Sequence, residues 1–214
     1  MIKKLLLFLS ICAIVSSCGE SVKKVQIQTD FGNMTFELYN STPVHRDNFV
    51  KLVKEGFYDG LLFHRVMNGF MIQGGDPSSK GAPINQPLGQ GGPGYTLPNE
   101  IAAPHFKGTL AAARQGDAVN PEKKSSGSQF YISQGRKYST EELNNLARSK
   151  GIQYSDAQIQ KYLDLGGVPF LDMDYTVFGE ITEGMEVIDK IAAVQTQPGD
   201  RPVQDVKMKI IMLN

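Results

Sequence analysis

"FHRVMNGFMIQGGD", residues 63–76, is the stretch on which the fold turns. Phe63, Val66, Phe70, Met71 and Ile72 are apolar and suit a core or a pocket. Among them stand Arg65 and Gln73, a permanent cation and an amide, each with strong hydrogen-bonding demands. Asn68-Gly69 is a turn signal, so the stretch predicts two short strands joined there. A single Arg in a half-buried strand ordinarily points to solvent. Whether this one does depends on what the remaining chain builds around it.

Upstream, "KVQIQTDFGNMTFELY" (Lys24–Tyr39) alternates Val25 and Ile27, then Met34, Phe36 and Leu38, around Asp30–Asn33, which predicts a β-hairpin. Thr42-Pro43 predicts a helix start, with Phe49, Leu52 and Val53 on one face and Gly56 closing it. Downstream, Pro77–Asn99 holds five Gly and five Pro in 23 residues, a composition that excludes a helix or a central strand. Its "GQGGPG" (89–94) matches a dinucleotide fingerprint in letters only. No strand precedes it, and Pro98 blocks a helix behind it.

Apolar runs at Thr109–Ala113 and Ser128–Ser133 predict strands. Ser139 with Glu142, and Ser155 with Gln158, are capping boxes that open helices over Thr140–Lys150 and Asp156–Leu165. Tyr175–Ile181 predicts a strand, Met185–Ile191 a helix and Val206–Leu213 a closing strand. Many short strands and few helices, without βαβ alternation, argue for a mainly antiparallel sheet or barrel.

The N-terminus reads differently. Lys3 and Lys4 precede an apolar run of eleven residues, Leu5–Val15, too short for a membrane span and suited to a signal-peptide core. Small residues then lead into Cys18, a pattern that resembles a bacterial lipobox. The expected organisation is a signal peptide over 1–17, a lipidated tether over 18–24 and one domain over 25–214. Lipidation at Cys18 would place the protein on the cell envelope, and by analogy with bacterial lipoproteins Gly19 rather than Asp after the Cys leans towards the outer membrane. The only other Cys, Cys12, falls in the signal segment, so the mature domain would have neither disulfide nor Cys nucleophile. Removing 17 of 214 residues takes away Lys3, Lys4 and no acid, leaving 20 basic against 22 acidic side chains. That balance argues against nucleic acid as a partner.

Conventional catalytic sets are missing. His45, His64 and His105 show no metal-ligand spacing, and no nucleophile motif occurs. Catalysis here would have to come from positioning and electrostatics.

Taken together, the opening stretch, "GSQFYI" (127–132) and "FLDMDYTVFGEI" (170–181) resemble the cyclophilin family of peptidyl-prolyl isomerases. The resemblance runs over about Val25–Leu213. It implies a closed eight-stranded antiparallel barrel capped by helices, with residues 136–168 as a helical insertion. The partners it implies are proline-containing polypeptides, with no cofactor and no metal; oligomeric state is left open. Carried over by position, the catalytic Arg falls on Arg65. The proline pocket falls on Phe70, Met71, Gln73, Tyr131, Phe170, Leu171 and Tyr175. Ala113, Arg114 and Gln129 would line the groove for residues before the proline, and His64 matches the family's His beside the catalytic Arg. Gln73 would help to hold Arg65. A proline-binding module of weak activity, or an envelope interaction platform, is the alternative reading. Phe170 and Tyr175 stand where the family has Trp and His, and the loop between Arg114 and Gly127 is longer than in compact members. These differences bear on substrate preference rather than on Arg65.

Overall fold

The computed structural model describes residues 21–213. The expected signal peptide, Cys18 and the first part of the expected tether lie outside the described residues. Strands β1 (Lys23–Thr29) and β2 (Gly32–Leu38) form the expected hairpin, with a tighter turn than Asp30–Asn33 because β2 already starts at Gly32. There follow α1 (Pro43–Lys54), β3 (Arg65–Met67), β4 (Met71–Gly74), β5 (Thr96–Leu97), β6 (Thr109–Ala112), β7 (Ser125–Ser126) and β8 (Phe130–Ser133). The chain continues through α2 (Thr140–Lys150), α3 (Asp156–Asp164), β9 (Val177–Glu183), α4 (Met185–Ala192) and β10 (Lys209–Leu213).

Eight strands form one curled antiparallel sheet in the order β10-β1-β2-β9-β6-β8-β4-β3, while β5 and β7 pair separately. The expected closed barrel is corrected in one respect. Its edge strands β3 and β10 share no ladder; the seam is an isolated bridge, Leu62 to Lys207. Around it Phe63 N–H donates to Val206 O (2.9 Å), Met208 N–H to Leu61 O (2.8 Å) and Gly60 N–H to Met208 O (2.9 Å). Val206–Met208, expected to be strand, therefore leaves β1 and turns its polar backbone groups towards this seam.

The strand period of two sorts side chains between two faces. Val25, Ile27, Phe36, Val66, Ile72, Leu110, Phe130 and Ile132 fill the interior, closed by Phe49 and Leu52 of α1 and by Val187, Ile188 and Ile191 of α4. A smaller apolar cluster on the outer face contains Met71, Ala111, Ala113, Tyr131 and Val177. That outer cluster is where the site is built.

Thr42 does not cap α1 through its side chain; its hydroxyl donates to Tyr39 O. Instead Glu100, far along the chain, accepts from Val44 N–H (3.1 Å) and His45 N–H (2.9 Å). A carboxylate suits that place because it meets two free N–H groups and the positive end of the helix dipole. Both expected capping boxes are present, opening α2 and α3. Leu143 of α2 and Tyr162 of α3 pack around Phe106, which precedes β6. The helices leave the sheet at Gly135 and rejoin it at Gly167, where the backbones touch so closely that a Cβ on Gly135 would overlap the Gly167 carbonyl. Both residues have positive φ (64° and 149°), which removes any place for another residue at that neck.

Candidate active site

Register explains why Arg65 is where it is. Arg65 pairs with Gln73, Gln73 with Tyr131, and Tyr131 with Ala111, across β3, β4, β8 and β6. Directly opposed residues project to the same face, so a cation, an amide, a phenol and a methyl stand in one row. Val66, Ile72 and Ile132, one step along, belong to the interior. Arg65 and Gln73 are thus the outward half of two amphipathic strands.

The row borders a pocket of about 150 Å³. Its apolar lining comes from Phe70, Met71, Ala113, Tyr131, Leu171 and Tyr175, and its polar lining from Arg65, Gln73 and Arg114. The pocket continues on one side into a groove of about 800 Å³ shared through Gln73, Ala113 and Arg114, where Gln129 also lies. On the other side Arg65 and Gln73 also line a third hollow, which reaches His64 and Arg201. Gln73 is common to all three, so together they make a trough longer than one residue.

Arg65 is half exposed, and its Nε donates to Asp200 at 3.3 Å across a pair that is exposed on both sides. Its Nη2 lies 3.1 Å from Met67 Sδ. Solvent screens such a pair, so the guanidinium gives up Asp200 at small cost. Gln73 does not hold Arg65 as expected. Its Nε2 donates to Gln129 Oε1 (3.1 Å), and Gln129 Nε2 donates to Gly91 O (2.7 Å), so the amide chain runs to the glycine-rich loop. That loop is itself fastened by Asp76, which accepts from Ser78 N–H (2.7 Å), Gly89 N–H and Gly91 N–H. Burial alone would raise the Asp76 carboxyl, yet these backbone donors hold it below the usual range.

The remaining candidates separate. Phe170 is half exposed and stacks at a tilt on Phe70, ring centres 5.5 Å apart, outside the pocket lining. His64 is buried beside Gly89, and burial lowers its pKa to about 4. Arg114 lies 4.5 Å from the Tyr175 ring centre and donates through Nε to Asp174 O (2.8 Å). Lys123 and Lys150 both contact the Asp174 carboxylate and, against the effect of burial, keep it below its ordinary range.

Sequence reasoning missed Asp200, Asp76, Asp172 and the part played by His105. All three His are buried rather than superficial. His105 Nε2 is 2.9 Å from the Tyr131 hydroxyl, and its Nδ1 is 2.9 Å from Asp172 Oδ1. No local spacing announces these partners: Arg65 and Asp200 are 135 positions apart, His105 and Asp172 67. The candidate chemistry is that of a half-exposed guanidinium donor at the lip of a small, largely apolar pocket.

Comparison with known proteins agrees with this geometry. The family model "Cyclophilin type peptidyl-prolyl cis-trans isomerase/CLD" matches residues 24–212. A Staphylococcus aureus (strain USA300) protein, provisionally named a peptidyl-prolyl cis-trans isomerase, is 37% identical over 191 residues, which is 88% of this chain and 90% of that one. A Staphylococcus haemolyticus (strain JCSC1435) relative with the same name is 36% identical, covering 88% and 89%. Among solved structures, a Cryptosporidium parvum cyclophilin type isomerase superposes with a TM-score of 0.66 at 25% identity, covering 91% of this chain and 99% of that one. A second structure of that protein, obtained with the dipeptide Ala-Pro, gives a TM-score of 0.64 at 25% identity, over 89% and 99%.

Proposed function

The chain belongs to the cyclophilin-type peptidyl-prolyl cis-trans isomerases, and on that premise we propose that Arg65 is its catalytic residue and the pocket beside it the seat of the prolyl ring. The observation that carries this reading is the Arg65 guanidinium beside a pocket whose apolar walls are Phe70, Met71, Ala113, Tyr131, Leu171 and Tyr175. Rotation about the X-Pro bond is slow because C–N resonance must be broken, at about 18–20 kcal/mol. In the twisted state the prolyl nitrogen regains its lone pair and accepts a hydrogen bond; in the planar state it hardly does. A donor placed there therefore binds the transition state better than the ground state, which is the condition for catalysis. Arg suits the task because it stays protonated and presents a rigid fork. The apolar walls bury the pyrrolidine ring and disfavour the more dipolar planar amide. A thousandfold acceleration asks for only about 4 kcal/mol, within reach of one charged donor in a desolvated pocket.

The trough on either side gives room for residues flanking the proline, with Gln129, Ala113 and Arg114 on one flank and His64 on the other. Arg65→Ala is expected to lower kcat/KM on an X-Pro peptide by about two orders of magnitude or more, and Arg65→Lys to restore little of it. Since Arg65 is half exposed and makes few contacts, circular dichroism and the melting temperature should barely change. Near-wild-type turnover by folded Arg65→Ala would refute the assignment.

As to where it works, our reading is a lipoprotein anchored at Cys18 and assisting folding of proline-containing proteins in the bacterial envelope, at the outer membrane. The lipobox-like approach to Cys18 supports this, and β1 begins at Lys23, leaving a tether of at most roughly 17 Å at ~3.3 Å per residue. The domain would then meet its clients close to the bilayer. Cys18→Ser should release the protein into the soluble fraction or leave it uncleaved. Recovery of that variant in membranes, processed like wild type, would count against the anchor.

A further inference from the structure

A proline pocket needs carbon on its walls, yet Tyr131 brings a hydroxyl to this one. That hydroxyl is engaged behind the wall. It lies 2.9 Å from His105 Nε2, with the two rings nearly parallel at 8°. His105 Nδ1 is 2.9 Å from Asp172 Oδ1, which also accepts the His105 backbone N–H at 2.7 Å. The other oxygen of Asp172 accepts the hydroxyls of Tyr162, on α3, and Tyr154, between α2 and α3, each at 2.7 Å. His105, Asp172, Tyr162 and Tyr131 are all at most 4% exposed.

The order of protons in this chain follows from the acceptors. An ionised carboxylate can only accept, so His105 must carry its proton on Nδ1. A neutral imidazole protonated there leaves Nε2 bare, and a bare nitrogen only accepts. Tyr131 must therefore donate to it, with its O–H turned away from the pocket. We propose that His105, Asp172, Tyr154 and Tyr162 are positioning residues of the isomerase site: they fix the His105 tautomer and so make Tyr131 present only its ring carbons to proline. The same residues hold the facing wall. Asp172 follows Leu171 directly, and Lys150, the last residue of α2, donates to Phe170 O (2.8 Å) and Asp174 Oδ2 (2.6 Å). The α2–α3 pair contributes no residue to the pocket lining; it braces two of the pocket's walls from outside.

This inference rests on the isomerase reading of the pocket, and its test keeps the two apart. The variants are His105→Asn, Tyr131→Phe and their combination, assayed on an Ala-Pro tetrapeptide alongside thermal melts. Asn retains a donor near the Nδ1 position for Asp172 but offers no acceptor at the position of Nε2. In wild-type background His105→Asn is expected to lower kcat/KM about tenfold, because an unpaired hydroxyl then faces the pocket. With Tyr131→Phe, where no hydroxyl needs a partner, the same change should cost less than about twofold. A merely structural His105 would lower stability and cost the same activity in both backgrounds, and that additivity would overturn the inference; so would an absence of cost in either. An inactive wild-type protein would overturn the pocket reading and the inference with it. Should His105→Asn fail to fold, Tyr154→Phe/Tyr162→Phe runs the same cycle. Removing both donors leaves Asp172, and with it His105, less firmly placed, with the same expected relief by Tyr131→Phe.

Discussion

His64 stands next to Arg65 in sequence and is buried in the molecule's interior. Burial is the main cause, and it lowers the folded pKa from 6.5 to about 4. The consequence for stability has a definite sign. Above pH 6.5 the ring is neutral folded and unfolded, and its contribution is complete. As pH falls from 6.5 towards 4 the unfolded chain takes up a proton that the folded chain refuses, so stability declines across that window by roughly 2–3 kcal/mol. His45, also lowered mainly by burial, adds in the same direction. Urea unfolding of wild type and His64→Asn from pH 7 to 4.5 should show a shallower pH slope in the variant; equal slopes would mean that His64 titrates normally. At this scale the sequence was informative about residue type. Arg65 and Gln73 stood out as polar residues within an apolar run, but the run carried no record of Asp200 as the partner of Arg65 or of Gln129 as the partner of Gln73, which the fold brings in from distant positions.

Elements with local signals were legible. Both capping boxes need only four consecutive residues, and α2 and α3 begin where those residues predict. The cap of α1 was not legible, because Glu100 arrives from 56 positions away. Nor could spacing say what the helical pair does. A lid that selects clients would leave turnover of a tetrapeptide unchanged when the pair is removed. The contacts argue for a brace instead. Replacing residues 137–166 by a short Gly/Ser linker uncovers Phe106, deprives Asp172 of two donors and frees Phe170 and Asp174 from Lys150. Losing those contacts should cost on the order of 3 kcal/mol, seen as a melting temperature lower by at least about 5 °C. Turnover should fall for the tetrapeptide as well as for refolding of a proline-limited protein. Full tetrapeptide activity in a folded deletion variant would argue against the brace and for a lid.

For the whole molecule, a mainly antiparallel architecture could be inferred because each short apolar run was punctuated by its own turn residues. The seam could not, since Val206–Leu213 looks like one uninterrupted strand. Only Lys209–Leu213 pairs with β1, and the three residues before it serve Gly60–Phe63 instead. One result is that β3, three residues long and carrying Arg65, lies at the end of the sheet. Its outer side is held at Val66, whose N–H donates to Asp200 O at 2.8 Å, while the Asp200 side chain accepts from Arg65. A single turn thus fastens both a backbone proton and the guanidinium. Were that turn to swing out, the Val66 amide would meet solvent as Arg65 is released, so its deuterium uptake would be a clock on how often that guanidinium is free. Exchange at Val66 should run well ahead of Ile27 and Phe36 in β1 and β2, and Asp200→Asn, which weakens the hold on Arg65, should quicken it further.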